Sequence, residues 1–171
     1  MPSSLKTPSS ANECPMTWRT FFQVHCDALF QTALLLSADP EDAEASIAAT
    51  LDTVDVSKPP VESQVLMLQE KLARRAIQNA QATAFPKISE ARSLLQVDLQ
   101  PVLLIERLPR VCFVLRTLLG YATSTCAQML GVEESGVKTL LRIAISQLHS
   151  AVTGAASRTS WLAESSALLV Q

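Results

Sequence analysis

Glycine is scarce in this chain, with four in 171 residues, and aromatic side chains make up only 5%. So little of either argues against a β-sandwich or barrel, whose tight turns and pleated faces draw on both. Charge is thin too: 18% of residues are Asp, Glu, Lys or Arg, where soluble domains carry about a quarter. The 48% hydrophobic share then implies apolar surface that another molecule covers. The four cysteines, Cys14, Cys26, Cys112 and Cys126, show no CxxC spacing. A disulfide framework is therefore not expected, and a reduced, cytoplasmic setting is the simpler reading. His25 beside Cys26 and the lone His149 lack metal-ligand spacing, so neither metal nor other cofactor is expected.

The N-terminus lacks the basic start and apolar core of a signal peptide. The most apolar run, residues 102–121, is broken by Glu106, Arg107, Pro109, Arg110 and Arg116, so no membrane span is expected. No nucleophile elbow, phosphate-cradling glycine loop or HExxH motif occurs, which argues against an enzyme.

Ala, Leu, Gln and Ser dominate instead, a composition that favours helices. The expected fold class is all-α: two small helical domains, the C-terminal one a helix-turn-helix. Residues 1–16, rich in Ser and Pro, read as a disordered lead. Thr17 caps a helix that runs to about Ser37, with Phe21, Phe22, Leu29, Phe30, Ala33, Leu34 and Leu36 apolar. Asp39-Pro40-Glu41-Asp42 opens a second helix: Asp39 caps it, Pro40 takes the first helical position, and acids face its positive end. Ala43, Ile47, Leu51 and Val54 form its expected stripe. After Lys58-Pro59-Pro60 a third helix is expected from about Val61 to Ala82, burying Val65, Leu68, Leu72 and Ile77. Residues 17–83 form the first expected domain, 84–101 a linker between Pro86 and Pro101, and 102–152 the second domain. Short helices are expected at Val102–Arg107 and Arg110–Leu119. Residues 153–171 form a tail in which Trp161, Leu162, Leu168 and Leu169 could dock as a short helix.

The segment from Leu118 to Leu148 carries most information. It reads as helix (Thr123–Leu130), tight turn, then helix (Glu133–Ala151). Small Ala127 permits close helix approach, and Gly131 can take the positive φ that ends the first helix. Val137, Leu140, Leu141, Ala144 and Leu148 form the buried stripe of the second. That spacing is how a protein presents a helix to the DNA major groove, although such units also occur in proteins that bind no DNA.

Together these runs resemble a bacterial RNA polymerase sigma factor of the extracytoplasmic-function type. The C-terminal match covers Gly120 to Leu148, including Ala127, Leu130-Gly131-Val132, Val137-Lys138, Leu141, Ala144 and Leu148. The N-terminal match covers Leu29 to Leu51, through Asp39-Pro40-Glu41-Asp42-Ala43-Glu44 and Ile47. Leu72-Ala73-Arg74 adds a fainter echo. The resemblance implies that the N-terminal domain binds core RNA polymerase, with Asp42 and Glu44 at the contact. It implies that the C-terminal domain reads promoter double-stranded DNA through Ser135, Gly136, Lys138, Thr139 and Arg142.

The chain departs from the family's pattern in three places. Ala45, Ala48 and Ala49 stand where members carry acids or amides that grip the polymerase. Residues 58–69, at the strand-opening segment, contain no aromatic to stack an unpaired base. Leu140, Ile143 and Ile145 replace cations that would meet phosphates.

Charge is uneven as well: residues 1–60 carry a net −5 and residues 101–171 a net +2, a weak footprint for a DNA-binding chain. Lys138, Thr139 and Arg142 fit DNA contact or an ordinary solvated face. Asp42 and Glu44 fit polymerase contact or plain stabilisation of a helix start. Ile143 and Ile145, outside the main stripe, point to a protein interface or a packed tail. The leading expectation is a sigma-like protein that directs polymerase to promoters. The alternative is a degenerate sigma-like interaction module or regulator that binds no DNA; an anti-sigma or other regulatory protein is a further expected partner. The chain itself fits the anti-sigma role less well, lacking an HxxxCxxC zinc pattern.

Overall fold

A computed structural model of the chain describes residues 17–61 and 63–168, with side chains to Gly154. The expected disordered lead at 1–16, and the side chains of the expected docking tail, lie outside the described residues. The fold is all-helical, with no strand among the described residues. In chain order it comprises α1 (Trp18–Ser37), α2 (Pro40–Leu51), α3 (Ser63–Ala82), α4 (Ile88–Leu94), a 3₁₀ helix (Val97–Leu104), α5 (Arg107–Phe113), a π turn (Val114–Leu118), α6 (Thr123–Leu130) and α7 (Glu134–Leu168).

The Thr17 hydroxyl accepts from the Thr20 N–H and so caps α1. This helix is the centre of the fold, packing against α2, α3, α5 and the π turn. Its C-terminal half is buried on every side from Thr32 to Ser37, which explains why apolar residues there run without a polar stripe. Ala38 ends it in the left-handed region at φ 61° and donates its N–H to the Leu34 carbonyl. Side chains with Cβ adopt that conformation at a cost of about 1–2 kcal/mol. Complete burial of the Ala38 methyl helps offset it.

Helix α2 differs from the expected stripe. Its buried row is Pro40, Ala43, Ser46 and Thr50, whereas Ile47 and Leu51 are half-buried and Val54 lies beyond the helix end. Small polar residues can face the interior because their hydroxyls bond one turn back: Ser46 Oγ donates to the Asp42 carbonyl at 2.6 Å and Thr50 Oγ1 to the Ser46 carbonyl at 2.7 Å. Such short side chains let α2 lie close to its neighbours. Helix α3 buries Leu68, Leu72, Ala73, Ala76, Ile77 and Ala80, and Val65 is only half-buried.

Residues 84–101 fold into α4 and most of the 3₁₀ helix, and they bury Ala91 and Leu95. The expected helix at Val102–Arg107 is displaced: the 3₁₀ helix ends at Leu104 and α5 begins at Arg107. The helix expected from Arg110 begins earlier, and Pro109 is accommodated because it falls in the first turn of α5, where a helical N–H has no partner to lose. The chain then widens into the π turn, closed by the Leu119 N–H to the Val114 carbonyl at 2.9 Å.

Helix α6 ends where Gly131 takes φ 66°, and the N–H groups of Gly131 and Val132 both reach the Ala127 carbonyl. Helix α7 packs Val137 and Ala144 fully, with Leu140, Leu141 and Leu148 half-buried against the same cluster. Rather than ending near Ala151, it continues as one helix to Leu168. No proline follows, and a single Gly154 costs only about 1 kcal/mol.

One hydrophobic cluster joins Leu29 and Ala33–Leu36 of α1, Leu72 and Ile77 of α3, Leu103 of the 3₁₀ helix, Val111–Leu115 of α5 and the π turn, and Val137 of α7. Burying a leucine such as Leu34, Leu72, Leu103 or Leu115 contributes roughly 1.5–3 kcal/mol each. Within it Cys112 and Cys126 are fully buried, and Cys112 Sγ donates to the Val137 carbonyl at 3.4 Å, tying α5 to α7. Both thiols are free.

Candidate functional site

The residues proposed for DNA contact lie on the first turns of α7. Ser135, Lys138, Thr139 and Arg142 are all exposed, while Gly136 is half-buried, its Cα side directed at Val132. Offsets of three, four and seven residues bring the four exposed side chains onto one helical face. Two of them are engaged locally. Ser135 Oγ donates to Glu133 Oε2 at 3.3 Å, and Thr139 Oγ1 donates to the Ser135 carbonyl at 3.2 Å. Lys138 and Arg142 have no ion pair among the described residues. The face therefore offers two unpaired cations, preceded by Glu133 and Glu134. Those acids favour the helix start but repel a phosphate.

Ile143 and Ile145 flank this face on its two opposite edges, four residues beyond Thr139 and three beyond Arg142. They are 40% and 54% exposed, where a solvated helix would carry polar residues. A shallow, open depression between Thr139, Arg142, Ile143, Ser146 and Gln147 marks this surface.

The acidic turn at the start of α2 serves the fold more than the sequence reading allowed. Asp39 is buried; its Oδ1 accepts from the Glu41 and Asp42 N–H groups at 2.9 and 3.3 Å, and its Oδ2 from the Lys87 N–H at 2.9 Å. Burial pushes this carboxyl up, but the backbone N–H groups of Lys87, Asp42 and Glu41, with the Lys87 charge, outweigh it and hold it below its ordinary 3.8. Asp42 is half-buried, and its Oδ2 accepts from Thr83 Oγ1 at 2.6 Å. Asn79 Nδ2 donates to Ser46 Oγ at 2.9 Å, and Lys87 Nζ pairs with Glu41. This polar seam joins α2 to the end of α3 and the start of α4. Of the two residues proposed for polymerase contact, Asp42 is thus held within the fold and Glu44 is exposed. Thr83, Asn79 and Lys87 were missed because each lies more than thirty residues away in sequence and belongs to no local motif.

Residues 58–69 contain no aromatic, yet one reaches them from elsewhere. Trp18 Nε1 donates to the Lys58 carbonyl at 2.7 Å, and the indole stacks on Phe22 with ring centroids 5.6 Å apart. Arg74 pairs with Glu70 at 2.9 Å on the exposed side of α3.

Among the described residues no three His, Cys, Asp or Glu side chains converge as a metal site, and no helix is long and apolar enough to cross a membrane. Comparison with protein-family models, with curated proteins and with solved structures finds nothing that matches this chain.

Proposed function

We propose that this is a sigma-like transcription protein, with residues 17–83 forming a polymerase-facing unit and residues 102–152 a DNA-facing helix-turn-helix. The observation that carries the reading is the outer face of α7, where Lys138 and Arg142 stand exposed and, among the described residues, without acidic partners behind the tight Gly131 turn. In this reading α6 and the turn brace the start of α7 in the major groove. Lys138 and Arg142 neutralise phosphates or meet base edges, and Glu44 faces core polymerase. With only two such cations, the duplex contact is weak alone and relies on polymerase for its lasting hold on a promoter.

The deciding experiment reconstitutes the protein with core RNA polymerase and measures promoter-specific transcription. The expected result is promoter-dependent initiation, together with duplex affinity that falls with salt. Lys138→Ala combined with Arg142→Ala lowers the salt slope by about two, at roughly 0.9 per phosphate contact. Absence of any association with core polymerase refutes the proposal.

A second reading rests on Ile143 and Ile145, exposed where phosphate-binding cations would stand. It makes the same face of α7 a protein-docking surface on a module that does not bind DNA. It predicts no salt-dependent duplex binding, and a loss of partner capture on Ile143→Lys plus Ile145→Lys.

A further inference from the structure

Away from α7, the start of α1, the loop after α2 and the first half of α3 enclose a cavity of about 200 Å³. That is smaller than the roughly 300–1,000 Å³ typical of sites for drug-sized ligands, and it fits a molecule of one or two rings. Trp18 forms one wall and Val54, Met67 and Leu68 supply apolar lining, with Thr53, Asp55, Lys58, Gln64 and Lys71 at the polar positions. The indole is fixed at both ends of its reach, by its N–H on the Lys58 carbonyl and by stacking on Phe22. A flat wall already held in place loses little freedom when a flat ligand lies against it.

The charges in the cavity are not balanced. Lys58 has Asp55 as an ion-pair partner at 3.7 Å. Lys71 has none among the described residues; its Nζ donates to Thr53 Oγ1 at 3.3 Å. Thr53 Oγ1 in turn donates to the Thr50 carbonyl at 2.7 Å, so it presents a lone pair to the ammonium. Among the described residues, the cavity thus holds a cation beside an aromatic wall, while the acid of its lining, Asp55, is paired with Lys58.

We infer that this cavity binds a small planar aromatic anion, its ring between Trp18 and the Met67–Leu68 side and its acidic group on Lys71. The ligand chemistry is that of a free aromatic acid, a flat ring bearing one anionic group. The site is separate from the α7 face, so the inference stands whether or not the chain works with polymerase.

The test follows Trp18 emission in the full chain with the second tryptophan changed (Trp161→Phe), titrated with indole-free probes: benzoate and phenylphosphate for the free acid, and a twelve-residue oligo(dT) for an unpaired strand. A saturable change with benzoate or phenylphosphate supports the site. Tighter binding of oligo(dT) than of either small acid overturns the assignment to a free ligand. Lys71→Ala should weaken binding about tenfold while leaving the thermal midpoint unchanged, since Lys71 makes one exposed hydrogen bond. Trp18→Phe keeps an aromatic wall but loses the bond to Lys58 and should weaken binding less than Trp18→Ala, both followed by calorimetry. No saturable response to benzoate or phenylphosphate at millimolar concentration, or undiminished binding by Lys71→Ala, overturns the inference.

Discussion

Replacing Asp39 tests the account of how the acidic turn is used. Asp39→Ala removes a helix cap from α2, which costs about 1 kcal/mol in typical hosts. It also removes the acceptor for the Lys87 N–H, the bond that holds the start of α4 against α2. Leaving a shielded donor unpaired costs about 1–3 kcal/mol more. The expected loss is therefore about 2–4 kcal/mol, which at roughly 2–4 °C per kcal/mol for a chain of this size lowers the midpoint by some 5–15 °C. Urea denaturation followed by far-ultraviolet circular dichroism measures it as a lower midpoint with an unchanged slope. Asp39→Asn should fall between, because an amide oxygen can still cap while its NH₂ group cannot accept from Lys87. The carboxyl lies below its ordinary value in the folded chain. Its contribution is complete above the unfolded pKa of about 3.9 and disappears as pH falls through the folded value. Asp39→Asn should remove that part of the acid sensitivity. A change of less than 0.5 kcal/mol for Asp39→Ala would refute the assignment of this turn to the fold.

Three further outcomes follow from the geometry. Gly131→Ala should cost about 1–2 kcal/mol from backbone conformation alone, since an added Cβ meets nothing within 4 Å; calorimetric unfolding checks it, and an unchanged midpoint contradicts the left-handed turn. Arg110 is 3% exposed, with one long bond from Nη1 to the Ile105 carbonyl and no partner for Nε; burial, with Arg107 adding, pushes its pKa down to about 10. It remains charged at neutral pH, so Arg110→Met should stabilise the chain by about 1–2 kcal/mol, read as a higher urea midpoint. In a Cys14→Ser background, Cys26 should react with a disulfide reagent within minutes at pH 8, whereas Cys112, pushed up to about 11 by burial and then by Cys126, should react only on unfolding. Mass mapping of labelled peptides distinguishes them.

The sequence was most readable where structure is local. The Thr17 and Asp39 caps, the Pro40 start and the Gly131 stop each depend on neighbours within four residues, and each stands as read. Regions governed by distant contacts were less legible. In α2 the apolar residues Ile47 and Leu51 drew the expected stripe, but the interior takes Ser46 and Thr50 because their hydroxyls bond within the helix. The helix expected from Arg110 begins at Arg107 and takes in Pro109, because position within a turn decides what a proline costs. Of the candidate site residues, exposure of Lys138, Thr139 and Arg142 followed from the 3.6-residue period of α7. The engagement of Asp42 by Thr83 did not, since no local pattern links residues 41 apart. The approach of Trp18 to Lys58 was hidden for the same reason.

The π turn at Val114–Leu118 has a consequence for how this chain can vary. A π turn holds one residue more than an α-helical turn closing the same span. It turns Arg116, Thr117 and Leu118 outward while Val114 and Leu115 stay inside. Removing one residue here would restore α-helical winding, but it would rotate all that follows by about 100°. Tyr121, whose N–H reaches back to the Leu115 carbonyl at 3.0 Å, and the α6–α7 pair beyond it would then meet the core with the wrong sides. Substitutions can accumulate gradually across these five positions, but their number is an integer to which the orientation of α6 and α7 is geared.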